Sequence, residues 1–216
     1  MPAVEHDRLQ GESDPACAGR HPNLITVLGK VEAHPDDIHG LVLSLIDASF
    51  RNLAGPPSLE SCTRDVYAAE TSFSLSNALR IALGIASAAQ HLHAQGILHG
   101  DLYAHNILHC PTGEALLGDF AAASFFERNH QPLADALQRI EVRAFGCLLE
   151  ELLARCSPNV APQGDFLRGA VDAQKALKIL ADLQAACVQE TVSARPLFGE
   201  IVGKLNALMT LLWLES

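Results

Sequence analysis

Asp101, Asn106 and Asp119 carry the kind of oxygen that holds a hard cation such as Mg²⁺, and they stand close together in the chain. A carboxylate such as Asp101 can also take the proton of a hydroxyl held within hydrogen-bond reach. The pair His99-x-Asp101 is a weak signal by itself, because His and Asp fall at that spacing by chance in many chains. The longer pattern is stronger. Asn106-Ile107-Leu108, a turn at Pro111-Thr112-Gly113-Glu114, apolar Ala115-Leu116-Leu117 and then Gly118-Asp119-Phe120 read as loop, short strand, hairpin, strand and turn. That order folds three oxygen-bearing side chains into one place.

A long helix must deliver the chain into this loop. Ser74 or Ser76 caps a helix running to about Gln95, with Leu75, Leu79, Ala82, Ile85, Ala86, Ala89 and Leu92 recurring at three- and four-residue steps. Gly96 ends it. Apolar residues on nearly every side predict a central helix rather than a surface one.

His99-Gly100-Asp101-Leu102-Tyr103-Ala104-His105-Asn106 and Gly118-Asp119-Phe120 resemble the catalytic loop and metal-binding turn of the protein kinases, H-R-D-L-x-x-x-N and D-F-G. The resemblance implies an α+β, protein kinase-like fold with a mainly helical large lobe and a reduced small lobe, and it implies ATP and Mg²⁺ as the groups bound. Asp101 would be the base, with Asn106 and Asp119 on the metal. His105 stands where tyrosine kinases carry an arginine and could donate to a phosphate oxygen in the right tautomer. His21-Pro22-Asn23-Leu24-Ile25 resembles the turn into the fourth strand of the small lobe. Leu24 to Val31 and Gly40 to Ile46 would then be its fourth and fifth strands. On that alignment Leu43 guards the back of the nucleotide pocket, Ser44-Leu45-Ile46 is the hinge whose backbone bonds the adenine, and Leu108 lines the same pocket. Glu141 with Gly146 resembles the start of the helix after the activation segment, whose acidic residue bonds the catalytic-loop backbone. Arg195-Pro196 resembles the family's ending, with Glu127 the nearest candidate in sequence for the arginine's partner.

The chain divides on this reading into a leader or helix remnant over 1–20, a residual small lobe and hinge over 21–47, and the large lobe over 48–216. Glu12, nine positions before His21, matches the glutamate of the helix that precedes the turn. Departures from the pattern are informative. Gly100 replaces the arginine of H-R-D, Ala121 replaces the glycine of D-F-G and should restrict that turn, and no lysine or glycine-rich loop precedes Lys30. The segment 122–139 is short and lacks A-P-E, which puts ordinary peptide docking in doubt. Residues 47–70 read as an irregular surface segment with room for one short helix, 157–167 as a loop, and Ala170 to Ala186 as a helix. Leu205 to Leu214 reads as an apolar helix end carrying Trp213. Three functions stay open: phosphoryl transfer to a protein hydroxyl, a pseudokinase acting as an interaction module, and small-molecule phosphotransfer of the aminoglycoside or choline kinase type. The H-G-D-L loop resembles that of several bacterial kinase-like proteins, with the kinases associated with leucine-rich repeats as a neighbourhood, and the same H-G-D-L-x-x-x-N occurs in aminoglycoside and choline phosphotransferases.

A net charge of −10 offers no basic stripe for a phosphate backbone, so a nucleic-acid partner is not expected. With 49% hydrophobic residues in 216, the chain can bury one substantial core. Six cysteines without C-x-x-C spacing read as reduced, mostly buried thiols. His91 and His93 lie two apart, on different faces of the long helix, which does not suit zinc. Neither a secretory leader nor a membrane-length apolar run is evident, and a cytoplasmic protein is expected. A protein substrate or partner is expected too. The apolar faces of the two small-lobe strands would be partly bare, which predicts an oligomer or a partner that completes the lobe.

Overall fold

The computed structural model describes residues 18–31, 40–62, 64–156 and 170–213. Expectations for Glu12 and the loop over 157–167 fall outside them, as does Cys17.

The long helix, α1, runs Leu75–Ala94. Ser74 caps it by accepting from the Asn77 amide at 3.2 Å, and Gly96 leaves it with φ +77°. Leu79, Ile81, Ile85, Ala88 and Leu92 are wholly buried, so α1 is the axis of the core. Around it pack α2 (Leu133–Ala154), α4 (Phe198–Trp213) and the strand β6 (Ala115–Leu117). The helix α3 (Ala170–Cys187) lies against α2.

That contact depends on a missing side chain. A Cβ on Gly146 would stand 2.7 Å from Val188 Cγ1 and 2.9 Å from Cys187 Cβ. In an exposed helix, Gly→Ala stabilises by about 1 kcal/mol. Here Gly146→Ala is expected to destabilise by about 1–3 kcal/mol through overpacking, lowering the melting temperature by about 2–4 °C per kcal/mol. A melt that rises instead would refute the close packing of α2 on α3.

α2 begins eight residues before Glu141, where the sequence reading started it. Leu133, Ala134, Ala136 and Leu137 are good helix formers, and Asp135 pairs with Arg139 at 3.2 Å across one turn. The segment between the metal turn and α2 is therefore shorter still. Arg195 also differs from expectation. It is buried, and instead of Glu127 it finds carbonyls: Nε donates to Gln189 O at 2.7 Å and an η nitrogen to Arg139 O at 3.0 Å. Arg139 Nε returns a bond to Arg195 O at 2.9 Å, so the Arg195 guanidinium ties the second turn of α2 to the chain just after α3 through carbonyls.

The small-lobe strands are shorter than predicted. β1 (Val27–Val31) and β2 (Gly40–Leu43) form an antiparallel pair with a bulge between Val27 and Gly29. Leu28, Leu41, Val42 and Leu43 are 44–58% exposed, so the bare apolar face expected of them is present. The turn before β1 is anchored inward. Asn23 O accepts from Leu117 N at 2.8 Å, Ile25 N donates to Leu117 O at 3.0 Å, and Asn23 Nδ2 donates to Ala115 O at 2.9 Å.

Residues 47–70 hold no helix among the described residues; Pro56-Pro57 deny the backbone donors a helix would need. They supply β3 (Arg51–Asn52), which extends the antiparallel order β3-β5-β6 with β5 (Ile107–His109). Leu53, Ala54 and Asp65 are buried, so this is no mere surface segment. β4 (Ile97–Leu98) pairs with β7 (Ser124–Phe125) on either side of the loop chemistry. All five described cysteines are free; Cys110 and Cys187 are buried, while Cys62 is exposed, against the expectation. No helix among the described residues is long and apolar enough to cross a membrane.

Candidate active site

The loop between β4 and β5 carries Asp101, His105 and Asn106, with Ala104–Asn106 in a single 3₁₀ turn. β5 and β6 then form a hairpin in which Ile107 faces Leu117, which returns the chain to the same place. The Gly118 amide donates to Asn106 O at 3.0 Å, so Asn106 and Asp119 are brought together by backbone pairing. His99, whose role the sequence did not disclose, is wholly buried between the two pieces. Its Nε2 donates to Gly118 O at 2.8 Å, and its Nδ1 accepts from the Asp101 amide at 3.3 Å.

Asn106 Nδ2 donates to both the backbone oxygen and Oδ2 of Asp101, each at 2.9 Å. With its nitrogen engaged this way, the amide oxygen of Asn106 is the atom left for a cation. This fits the donor set Mg²⁺ takes, with the carboxylate of Asp119 as its partner. Asp119 sits at φ +54°, and its Oδ1 accepts from Ala121 N at 3.2 Å. The left-handed residue of this turn is thus Asp119 and not position 121, so alanine there meets no penalty of the kind the sequence suggested. Asp101 is 39% exposed at its side chain, open to an acceptor.

Gly100 explains itself through geometry. Its φ is +81°, and a Cβ there would lie 2.2 Å from Ala122 O. The backbone after the metal turn occupies the space that a side chain would need. Its amide donates to Glu141 Oε1 at 2.7 Å, while Glu141 Oε2 accepts from His93 Nε2 at 2.6 Å. The carboxylate expected to hold the loop backbone does so, from a buried position shared with α1. His93 was not anticipated as its second partner; its even spacing from His91 gave no sign of it.

His105 faces two carboxylates. Its Nδ1 lies 2.8 Å from Asp65 Oδ1, and its Nε2 lies 3.6 Å from Asp101 Oδ2. Tyr103 stacks on the ring with centroids 6.0 Å apart. Burial pushes the Tyr103 phenol up, with the nearby carboxylates of Asp101 and Asp65 adding in the same sense, so it stays neutral.

The residues assigned to the nucleotide are less gathered. Leu43 is 47% exposed and Leu45 fully exposed, and no element among the described residues covers them. The Ser44 amide donates to Thr26 O at 2.9 Å, so a hinge contact with a base falls to the Ser44 carbonyl or to the backbone of Leu45 and Ile46. Leu108 is half-buried in β5, opposite Leu116.

A protein kinase domain model matches residues 4–140. A probable serine/threonine-protein kinase of Arabidopsis thaliana is 26% identical over 153 residues, 62% of this chain and 25% of its own length. Another from Dictyostelium discoideum is 31% identical over 112 residues, 50% of this chain and 16% of that protein. A third, the serine/threonine-protein kinase GRIK1 of Arabidopsis thaliana, is 24% identical over 115 residues, 52% of this chain and 26% of its own length. The chain thus spans about a quarter or less of the curated relatives it matches.

Proposed function

The chain belongs to the protein kinase domain family, and on that premise we propose that it transfers the γ-phosphoryl group of ATP to a hydroxyl of a protein substrate. The observation that carries the reading is the pair of hydrogen bonds from Asn106 Nδ2 to Asp101, which would hold base and metal ligand in one unit. Asp101 accepts the hydroxyl proton as the acceptor oxygen bonds to the γ-phosphorus and the bond to the ADP oxygen breaks. The proton then leaves to solvent from this exposed carboxylate. Asn106 and Asp119 would hold Mg²⁺, which would supply charge neutralisation at the phosphates. The three serine/threonine kinases among the relatives support a serine or threonine hydroxyl as acceptor.

Titration calorimetry with ATP, with and without Mg²⁺, tests the reading. Asn tolerates the left-handed backbone of position 119, so Asp119→Asn removes charge while keeping shape. Magnesium-dependent binding is expected in the parent chain. In Asp119→Asn it should weaken at least about tenfold, the lower end of what even an outer partner of a metal ligand is worth. Asp101→Asn should bind as the parent does but transfer no phosphate. If the parent chain binds no nucleotide in either condition, the interaction-module reading replaces this one.

A further inference from the structure

Asp65 lies forty residues before His105, in the irregular segment after β3, and its side chain is 0% exposed. A buried carboxylate is costly unless its oxygens are bonded. Both are used on one residue: Oδ2 accepts from the His105 amide at 3.1 Å, and Oδ1 lies 2.8 Å from the same residue's Nδ1. The segment carrying Asp65 is itself fastened to α2, where Tyr67 donates to Glu151 Oε2 at 3.1 Å and Arg64 reaches Glu151 Oε1 at 3.3 Å. The clamp therefore rests on a rigid element and not on a free loop.

A carboxylate oxygen accepts from the ring nitrogen it faces, so Nδ1 is the donor. Nε2 is then the ring atom turned toward Asp101, at a distance too long for a hydrogen bond. Asn106 bonds that same oxygen, Asp101 Oδ2. Resting on the transfer reaction proposed above, we infer that Asp65 is a positioning residue: it fixes the tautomer and plane of His105, whose Nε2 edge walls the slot where the acceptor hydroxyl meets Asp101. The hydroxyl proton goes to Asp101 Oδ1 as the new O–P bond forms and the bond to ADP breaks; His105 and Asp65 exchange no proton. His105 thus orients the acceptor rather than donating to phosphate.

The clamp can be read without turnover. Long-range ¹H–¹⁵N spectra of the full chain with labelled histidine, assigned by the signals lost in His105→Gln, should show His105 as the Nδ1–H tautomer. In Asp65→Asn the side chain presents one oxygen and an NH₂, and the ring should switch to Nε2–H. With a protein acceptor, Asp65→Asn and His105→Gln should each lower kcat about ten- to a hundredfold, as misplacement near the reacting atoms does. The double variant should lose no more than either single, and KM for nucleotide should stay within about twofold. An Nε2–H ring in the parent chain, an unchanged ring in Asp65→Asn, or additive losses would overturn the inference. If Asp65→Asn does not fold, the parent's tautomer and His105→Gln still decide. A silent kinase assay counts against the proposed activity, and the ring spectra then judge the clamp alone.

Discussion

Glu141→Ala is expected to remove about 2–6 kcal/mol of stability, because two buried donors lose their acceptor at about 1–3 kcal/mol each. Domains of this kind hold about 5–15 kcal/mol in all, so much of the chain would unfold near physiological temperature. The reason is that three elements share this carboxylate. It accepts from His93 on α1 and from the Gly100 amide in the catalytic loop, and it is itself part of α2. His93 cannot turn elsewhere for help, because its Nδ1 is already buried without a partner and its ring is wedged against Phe198 at 5.1 Å between centroids. Removal of Glu141 leaves an imidazole and a backbone amide buried and unbonded. Glu141→Gln keeps an oxygen for Gly100 and should cost clearly less. His93→Leu combined with Glu141→Leu should recover part of the loss for α1 and α2 while leaving the Gly100 amide orphaned. Urea denaturation followed by circular dichroism reads all of these, and a cost below about 1 kcal/mol for Glu141→Ala would be less than even one orphaned buried donor costs and would contradict the network.

Gly100→Arg, which restores the arginine of the family pattern, is expected to damage this chain. A non-glycine residue in the left-handed region costs about 1–2 kcal/mol, and forcing a carbon into a filled space costs about 1–3 more. Both penalties arise at Cβ, which would stand 2.2 Å from Ala122 O. Gly100→Ala should therefore lose nearly as much as Gly100→Arg, and the guanidinium should matter little. The strand pair β4-β7 flanks the clash, so proteolysis near Ser124 and Phe125 should speed up in both variants. An arginine variant as stable as the parent would mean that the chain after the metal turn moves aside freely.

What the sequence made legible was whatever is written locally. Ser74 and Gly96 mark the ends of α1 because a cap hydroxyl and a left-handed glycine act within one turn of the residues they serve. The hairpin from Ile107 to Leu117 was readable for the same reason. Glu141 was identified through a resemblance, and its bond to Gly100 is present. Asp65 escaped notice because its meaning is forty residues away and no spacing rule links an irregular segment to a distant loop. Arg195 was matched to the wrong partner, since carbonyl groups exist at every residue and leave no trace in composition. Gly100 looked like a lost arginine, whereas the cause lay in the path of a backbone that no local pattern specifies. The start of α2 was misplaced because the family's activation segment was expected where Leu133 to Ile140 form helix.

The turn at His21-Pro22-Asn23 grips β6 by its outer edge and α1 through the contact of His21 Nε2 with Ser87 Oγ at 3.1 Å, while β5 holds the other edge. The strand that leads to Asp119 is thereby joined to the most buried helix among the described residues, and the two are expected to form one opening unit. Amide protons of Leu117 and Ile25 should exchange with solvent as slowly as those in the middle of α1. A nucleotide bound as proposed would rest on a floor that does not yield before the domain itself does.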